Sequence, residues 1–209
     1  MKKAAAVLLL AVTGVLLYGC SGRSSGGGGF QPESSSIYIS RDGKVLSALV
    51  EPYSLDNDEE KLKTFLDGEI ARYGQENPGQ GEQPSVSLKE CSIKDGIMKA
   101  VFEYGSPEDM ISFAVSQQDE SIGLASLEVK EISEALSAGD ISGNFRNREN
   151  ETVSSEEVGK ASKARAVVVS GEALIQTEGK ILYVSEGVEL TGTGNTARVT
   201  GEKSCIVFK

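Results

Sequence analysis

SVSLKECSIKDGIMKAVFEY, residues 85–104, is the stretch whose reading decides the fold. Apolar and polar residues alternate on either side of Asp95-Gly96. An Asp-Gly pair suits a two-residue type I′ turn, in which both central positions need positive φ. Folding the stretch there sets Cys91 opposite Ala100 and Ile93 opposite Met98, with Phe102 and Tyr104 on the same face. An antiparallel hairpin with one apolar face is therefore expected. Residues 37–48 carry a second Asp-Gly pair, Asp42-Gly43. The same logic predicts a hairpin in which Ile39 faces Leu46 and Ile37 faces Ala48.

Between the hairpins, Leu62, Phe65, Leu66, Ile70 and Tyr73 recur at three- and four-residue spacing, which predicts a helix over 56–73. Asp56 and Glu59 supply a capping box at its start. Residues 74–84 read as a loop. Ser106-Pro107-Glu108-Asp109 opens a short helix by the N-cap, N1-proline and acidic-first-turn rules. A strand is expected at 122–129, a short helix at 131–138 stopped by Gly139, and a helical turn at 156–160 within the polar stretch 144–162. Short β-type runs follow at 166–170, 173–177, 180–185, 196–200 and 204–208, punctuated by Gly171, Gly179, Gly187, Gly194 and Gly201. Together these give an α+β fold of antiparallel hairpins, one long and two or three short helices, and a C-terminal antiparallel meander. One domain over 37–209 is expected, with sub-modules 37–143 and 164–209 as the alternative; 46 residues are few for a module standing alone.

Ahead of the domain, Lys2 and Lys3 precede a nearly unbroken apolar run from Ala4 to Leu17, closed by Leu17-Tyr18-Gly19-Cys20. About 14 apolar residues fall short of the ~20 that span a bilayer, so the run reads as a cleavable export signal over 1–19. Its end resembles the lipobox of bacterial lipoproteins. The resemblance implies that Cys20 receives a diacylglycerol on its thiol, that the chain is cut between Gly19 and Cys20, and that the new amino terminus is acylated. Two or three acyl chains give stable anchoring where one does not. Tyr18 departs from the family pattern, in which Ala, Ser or Thr is commoner. Residues 21–36, SGRSSGGGGFQPESSS, have the composition of a flexible tether. Sixteen such residues give a root-mean-square reach of about 20–25 Å.

Composition excludes several chemistries. The chain carries a formal charge of −10 from 21 basic and 31 acidic residues, and −12 once Lys2 and Lys3 leave with the signal. That balance argues against nucleic acid and against an electrostatic hold on anionic lipid. With no histidine, Ser-His-Asp and Cys-His nucleophile systems and His-ligated zinc are ruled out. A Ser-x-x-Lys dyad and a phosphate-binding Gly-rich loop are also missing. Carboxylates alone remain for catalysis, and a glycan hydrolase would want two placed carboxyls and an aromatic platform, whereas the chain has no Trp. Asp56-Asn57-Asp58-Glu59-Glu60 lacks the spacing of a calcium loop and reads as an acidic helix start. Residues 147–157 are a second acidic loop, a candidate for weak cation binding only. No cofactor or catalytic residue is assigned. Cys91 and Cys205 remain beside Cys20; an oxidising compartment permits a disulfide between them, but their alternating apolar surroundings favour two separate buried thiols.

VSLKECSIKDGIMKAVFEYGSPEDMISF, ISEALSAGD and GKILYVSEGVEL, behind a lipobox, resemble uncharacterised surface lipoproteins of Gram-positive gut bacteria. The strand, Lys-Asp-Gly turn and strand around Val86 to Phe102 are similar to the GerM-type domain of sporulation and germination lipoproteins. Neither resemblance carries catalytic residues onto this chain. The expectation is a lipid-anchored module on the outer side of the cell membrane, binding an envelope protein, a polymer or a small ligand. A carboxylate-based or cation-dependent envelope hydrolase and a GerM-like sporulation role are the alternatives.

Overall fold

A computed structural model describes residues 30–53, 58–77, 84–192 and 194–209. The architecture is mixed α+β, with twelve strands and four helices among the described residues. The second Asp-Gly hairpin forms as expected from β3 (Val86–Lys94) and β4 (Ile97–Tyr104), with Cys91 opposite Ala100 and Ile93 opposite Met98. Asp95 and Gly96 both take positive φ, 53° and 74°, as a type I′ turn requires.

The first hairpin, β1 (Ser36–Ile39) and β2 (Val45–Pro52), is slipped by one residue from the expected register. Ile39 faces Val45, and Ile37 faces Ser47. The cause is local: only Gly43 takes positive φ, 87°, and the Gly43 N–H donates to the Ser40 carbonyl at 3.2 Å. That is a type I turn followed by a left-handed glycine, hence a three-residue loop. The Ser40 hydroxyl donates to Asp42 and accepts from the Lys44 N–H, which fixes Asp42 in this loop.

Helix α1 (Glu59–Glu76) is capped by Asp58, whose side chain accepts from the Lys61 N–H. The expected cap at Asp56 falls outside the described residues. Leu62 and Tyr73 are buried, but Phe65 is 59% exposed and does not belong to the inward face. Helix α2 (Pro107–Gln117) starts as the sequence predicts, with Ser106 accepting from the Asp109 N–H at 3.0 Å. Strand β5 (Gly123–Glu131) leads into α3 (Ile132–Ser137). The stretch expected to be polar and mostly irregular instead forms a hairpin, β6 (Asn144–Asn147) and β7 (Thr152–Ser154), before α4 (Ser155–Gly159).

The C-terminal part is not a simple meander. Gly171, expected as a break, lies inside one long strand, β8 (Arg165–Thr177). Strands β9 (Ile181–Ser185), β10 (Val188–Thr191), β11 (Thr196–Val199) and β12 (Ser204–Phe208) follow, of which β10 is not evident in the sequence pattern. Strand β8 belongs to two sheets. Its C-terminal half lies between β1 and β11 in the order β3-β4-β2-β1-β8-β11-β10. Its N-terminal half lies between β5 and β12 in the order β5-β8-β12-β9-β6-β7. The β1–β8 pairing is parallel, the sole parallel pairing among the described strands. Gly171, at φ 116°, makes the bend where β8 passes from one sheet to the other, and a Cβ there would lie 2.1 Å from the Gly123 carbonyl oxygen.

The two sheets share a core. Ile37, Ile39, Phe102 and Ile175 come from the first, Leu127, Val167, Val169, Ile206 and Phe208 from the second. Helices α1 and α2 close the open end of this core through Tyr73, Met110 and Phe113, with Tyr73 set edge-on to Phe113 at 5.2 Å. On the far face of the second sheet, α3 and α4 bury Ile132, Ala135 and Val158 against Phe145, Ala166, Cys205 and Val207. Strand β12 therefore separates two apolar layers, and all five of its residues are buried.

Candidate functional site

The residues to which the sequence assigns a role, Gly19 and Cys20, lie outside the described residues. The structure does describe where the chain that follows them enters the fold. Phe30 is only 9% exposed and stacks on Tyr38, centroids 5.1 Å apart and planes inclined by 27°. With Ala48 and Val101 they form a small apolar cluster on the outer face of the first sheet, flanked by Leu46 and Val50. Tyr38 reaches that face because Ile37 and Ile39 point into the shared core, and successive residues of a strand alternate sides. Ser35 completes the attachment: its hydroxyl accepts from the Val50 N–H at 2.9 Å and donates to the Val50 carbonyl at 3.2 Å. Pro32 and Ser36 are buried as well. Residues 30–36, expected from composition to be tether, are thus laid across the sheet. Burying a phenylalanine side chain contributes about 1.5–3 kcal/mol, and the stacked ring adds to it. The available signal was Phe30 itself, an aromatic residue within a Gly/Ser-rich run.

Several acidic residues, the remaining catalytic material, are engaged in building the fold. Asp140, with a side chain 7% exposed, follows α3 and accepts from Lys130 of β5 at 2.8 Å and from Lys203, between β11 and β12, at 2.9 Å. Lys130 also contacts Glu128 at 2.7 Å. Hydrogen bonds from Lys130 and then Lys203 hold the Asp140 carboxyl below the usual carboxylate range, and Asp140 and Glu128 hold Lys130 above the ordinary lysine range. Asp58 and Asp109 serve at helix starts. In the acidic loop after β6, the Asn147 side-chain oxygen accepts from the Glu149 and Glu151 N–H groups, and its amide donates to the Glu151 carboxylate. The loop is closed on itself. Among the described residues, no group of three or more Cys, Asp or Glu side chains is arranged to hold a metal ion.

Buried hydroxyls form a second polar feature that the sequence did not point to. Tyr104 and Ser47 share a 2.7 Å hydrogen bond inside the first sheet, and burial raises the Tyr104 phenol well above its ordinary value. A neighbouring cleft of about 200 Å³ runs between the β1–β2 turn and the start of α2, lined by Asp42, Lys44, Glu103 and Ser106. Its volume is below the ~300 Å³ at which small-molecule sites begin. The larger hollow, about 520 Å³, is an open surface whose lining residues, Asp58 to Phe65, all belong to the start of α1.

Both remaining thiols are free. Cys205 is buried beneath α3 and α4, and burial pushes it up to about 12. Cys91 is half-buried on β3 and raised as well, chiefly by burial. Five strand positions separate β3 from β12 in the sheet order. Cys91 lies on the first sheet, opposite Ala100, whereas Cys205 lies on the far face of the second sheet beneath α3 and α4, so the two thiols belong to different layers. Separate thiols, as the sequence favoured, are what the fold contains.

No described helix is long and apolar enough to cross a membrane. Comparison with protein-family models, with curated proteins and with solved structures returned no match.

Proposed function

We propose that this chain is a lipid-anchored protein of the outer side of the cell membrane, whose folded domain is a non-enzymatic binding module for an envelope protein or polymer. The observation that carries the reading is Cys20, set behind Leu17-Tyr18-Gly19 at the end of a basic-then-apolar leader and ten residues before Phe30. The acidic mature chain has no electrostatic attraction to anionic lipid, so acyl chains supply the attachment. The binding assignment is supported by the absence of histidine from the sequence and by the structural work that Asp58, Asp109 and Asp140 already perform.

Mass spectrometry of the protein extracted from membranes tests the anchor. The expected species begins at residue 20 and carries diacylglycerol on its first residue, and Cys20→Ser moves the protein out of the membrane fraction. An unmodified Cys20, or a Cys20→Ser variant retained in the membrane, would sink the reading. Turnover of a cell-wall or glycan panel, abolished by one Asp→Asn or Glu→Gln change, would replace the binding module with a hydrolase.

A further inference from the structure

The attachment of Phe30 to the outer face of the first sheet has a geometric consequence for a chain anchored at Cys20. We infer that the Phe30–Tyr38 contact fixes which side of the domain faces the lipid, turning the outer face of the β3-β4-β2-β1-β8-β11-β10 sheet toward the membrane and α3 and α4 away from it. The inference rests on the lipid anchor proposed above.

The argument is one of reach. Residues 21–29 separate Cys20 from Phe30, and whatever conformation they adopt, ten residue steps cover at most about 35 Å. A domain of this size has a radius of gyration of about 16 Å, which for a sphere is a diameter of about 40 Å. Phe30 leaves from the outer face of the first sheet, whereas α3 and α4 cover the opposite side of the molecule, beyond the second sheet. For those helices to touch the lipid, Phe30 would have to stand about 40 Å above it, with the leader passing around the domain by a path of about 50 Å, and about 35 Å does not suffice. If the attachment is undone so that the chain leaves at Ser36, the available length rises to about 55 Å and that orientation becomes accessible. The attachment of residues 30–36 thus excludes the orientation that sets α3 and α4 on the lipid.

Charge does not supply the orientation. The outer face mixes Lys99 paired with Glu90, Lys89 paired with Glu103, and Arg198 set opposite Glu189 on the neighbouring strand. The leader's point of entry supplies it.

The test uses the full chain, processed and membrane-bound in a bacterial host, with a donor dye on an azidophenylalanine introduced at Arg198 or at Glu156, and an acceptor dye in the lipid. Arg198 lies on the outer face because Ala197 and Val199 are in the shared core. Glu156 is an exposed residue of α4. Energy transfer from position 198 is expected to exceed that from 156 by about twofold or more, given the reach above. Phe30→Ala should bring the ratio toward one. So should nine Gly/Ser residues inserted after Gly29, a variant that leaves every described contact intact. Equal transfer in the unaltered chain, or a ratio unmoved by the insertion, would overturn the orientation while leaving the anchor standing. Retention of Cys20→Ser in the membrane would overturn the anchor, and the orientation with it.

Discussion

Asp140 accepts hydrogen bonds from two lysines that lie far apart in the sequence, Lys130 and Lys203, and ties the α3 loop to β5 and to the turn before β12. Its carboxyl is held low, so its contribution to stability is fully present above the unfolded value near ~4 and is lost as pH falls through the lower folded value. Lys130 is held high, so its share is present below about 10.5 and lost as pH rises through its folded value. Asp140→Asn is expected to cost about 1–2 kcal/mol at neutral pH, a figure discounted because Lys203 is largely in solvent. Urea unfolding measured from pH 7 down to pH 2 should show the two proteins converging in acid. Parallel curves at every pH would show that the carboxylate charge is not what holds these elements. At the same scale, two Asp-Gly pairs were read from sequence as the same turn, and one of them differs. Asp95 has no side-chain partner within its turn and goes to positive φ, whereas Asp42 is claimed by the Ser40 hydroxyl and leaves Gly43 to make the turn alone. The dipeptide is visible in the sequence, but the competing serine two residues earlier decides the register.

Strand β8 is the element on which the architecture turns. In sequence, Gly171 between two runs of valine and isoleucine has the look of a turn residue, because glycine weakens a strand interior. In the fold it is a bend within one strand, pressed against the backbone of β5. The distinction was not legible because it depends on Gly123, a partner from another part of the chain. By contrast, β3, β4 and α2 were legible, since the Asp95-Gly96 turn and the Ser106 cap are specified within a few residues. Gly171→Ala combines φ 116° with a Cβ 2.1 Å from a carbonyl oxygen, and is expected to cost about 3 kcal/mol or more. Gly192→Ala, at φ 63° with open space around it, serves as the comparison at about 1 kcal/mol. The shift in urea midpoint for each variant checks this; equal losses would mean that the close approach of β5 does not constrain β8.

At the scale of the whole molecule, the pieces on which the proposed function rests were legible only where they are local. Leu17 to Cys20 can be read without a fold. Phe30 could not be assigned, because the ring's value lies in Tyr38, Ala48 and Val101, three strands brought side by side by the sheet. Thiol titration measures the anchor and the core together. In the native protein Cys205 should not react at pH 8, being buried and held up to about 12, while half-buried Cys91 reacts slowly. After denaturation a lipidated chain should titrate two thiols and an unmodified one three. Rapid native labelling of Cys205 would show that α3 and α4 open readily. The shared strand also sets an order of events. Ile37 pairs with Ile175, and β5 pairs with β8 along its length. A chain emerging from its N-terminal end holds two hairpins that can pair through β2 and β4 but lacks the strand that joins them to the second sheet, and contacts so distant in sequence form slowly. Until residues 165–177 arrive, neither sheet can be completed. For the export proposed above, such an arrangement would keep the chain unfolded until its last quarter, which carries the key to the rest, has followed.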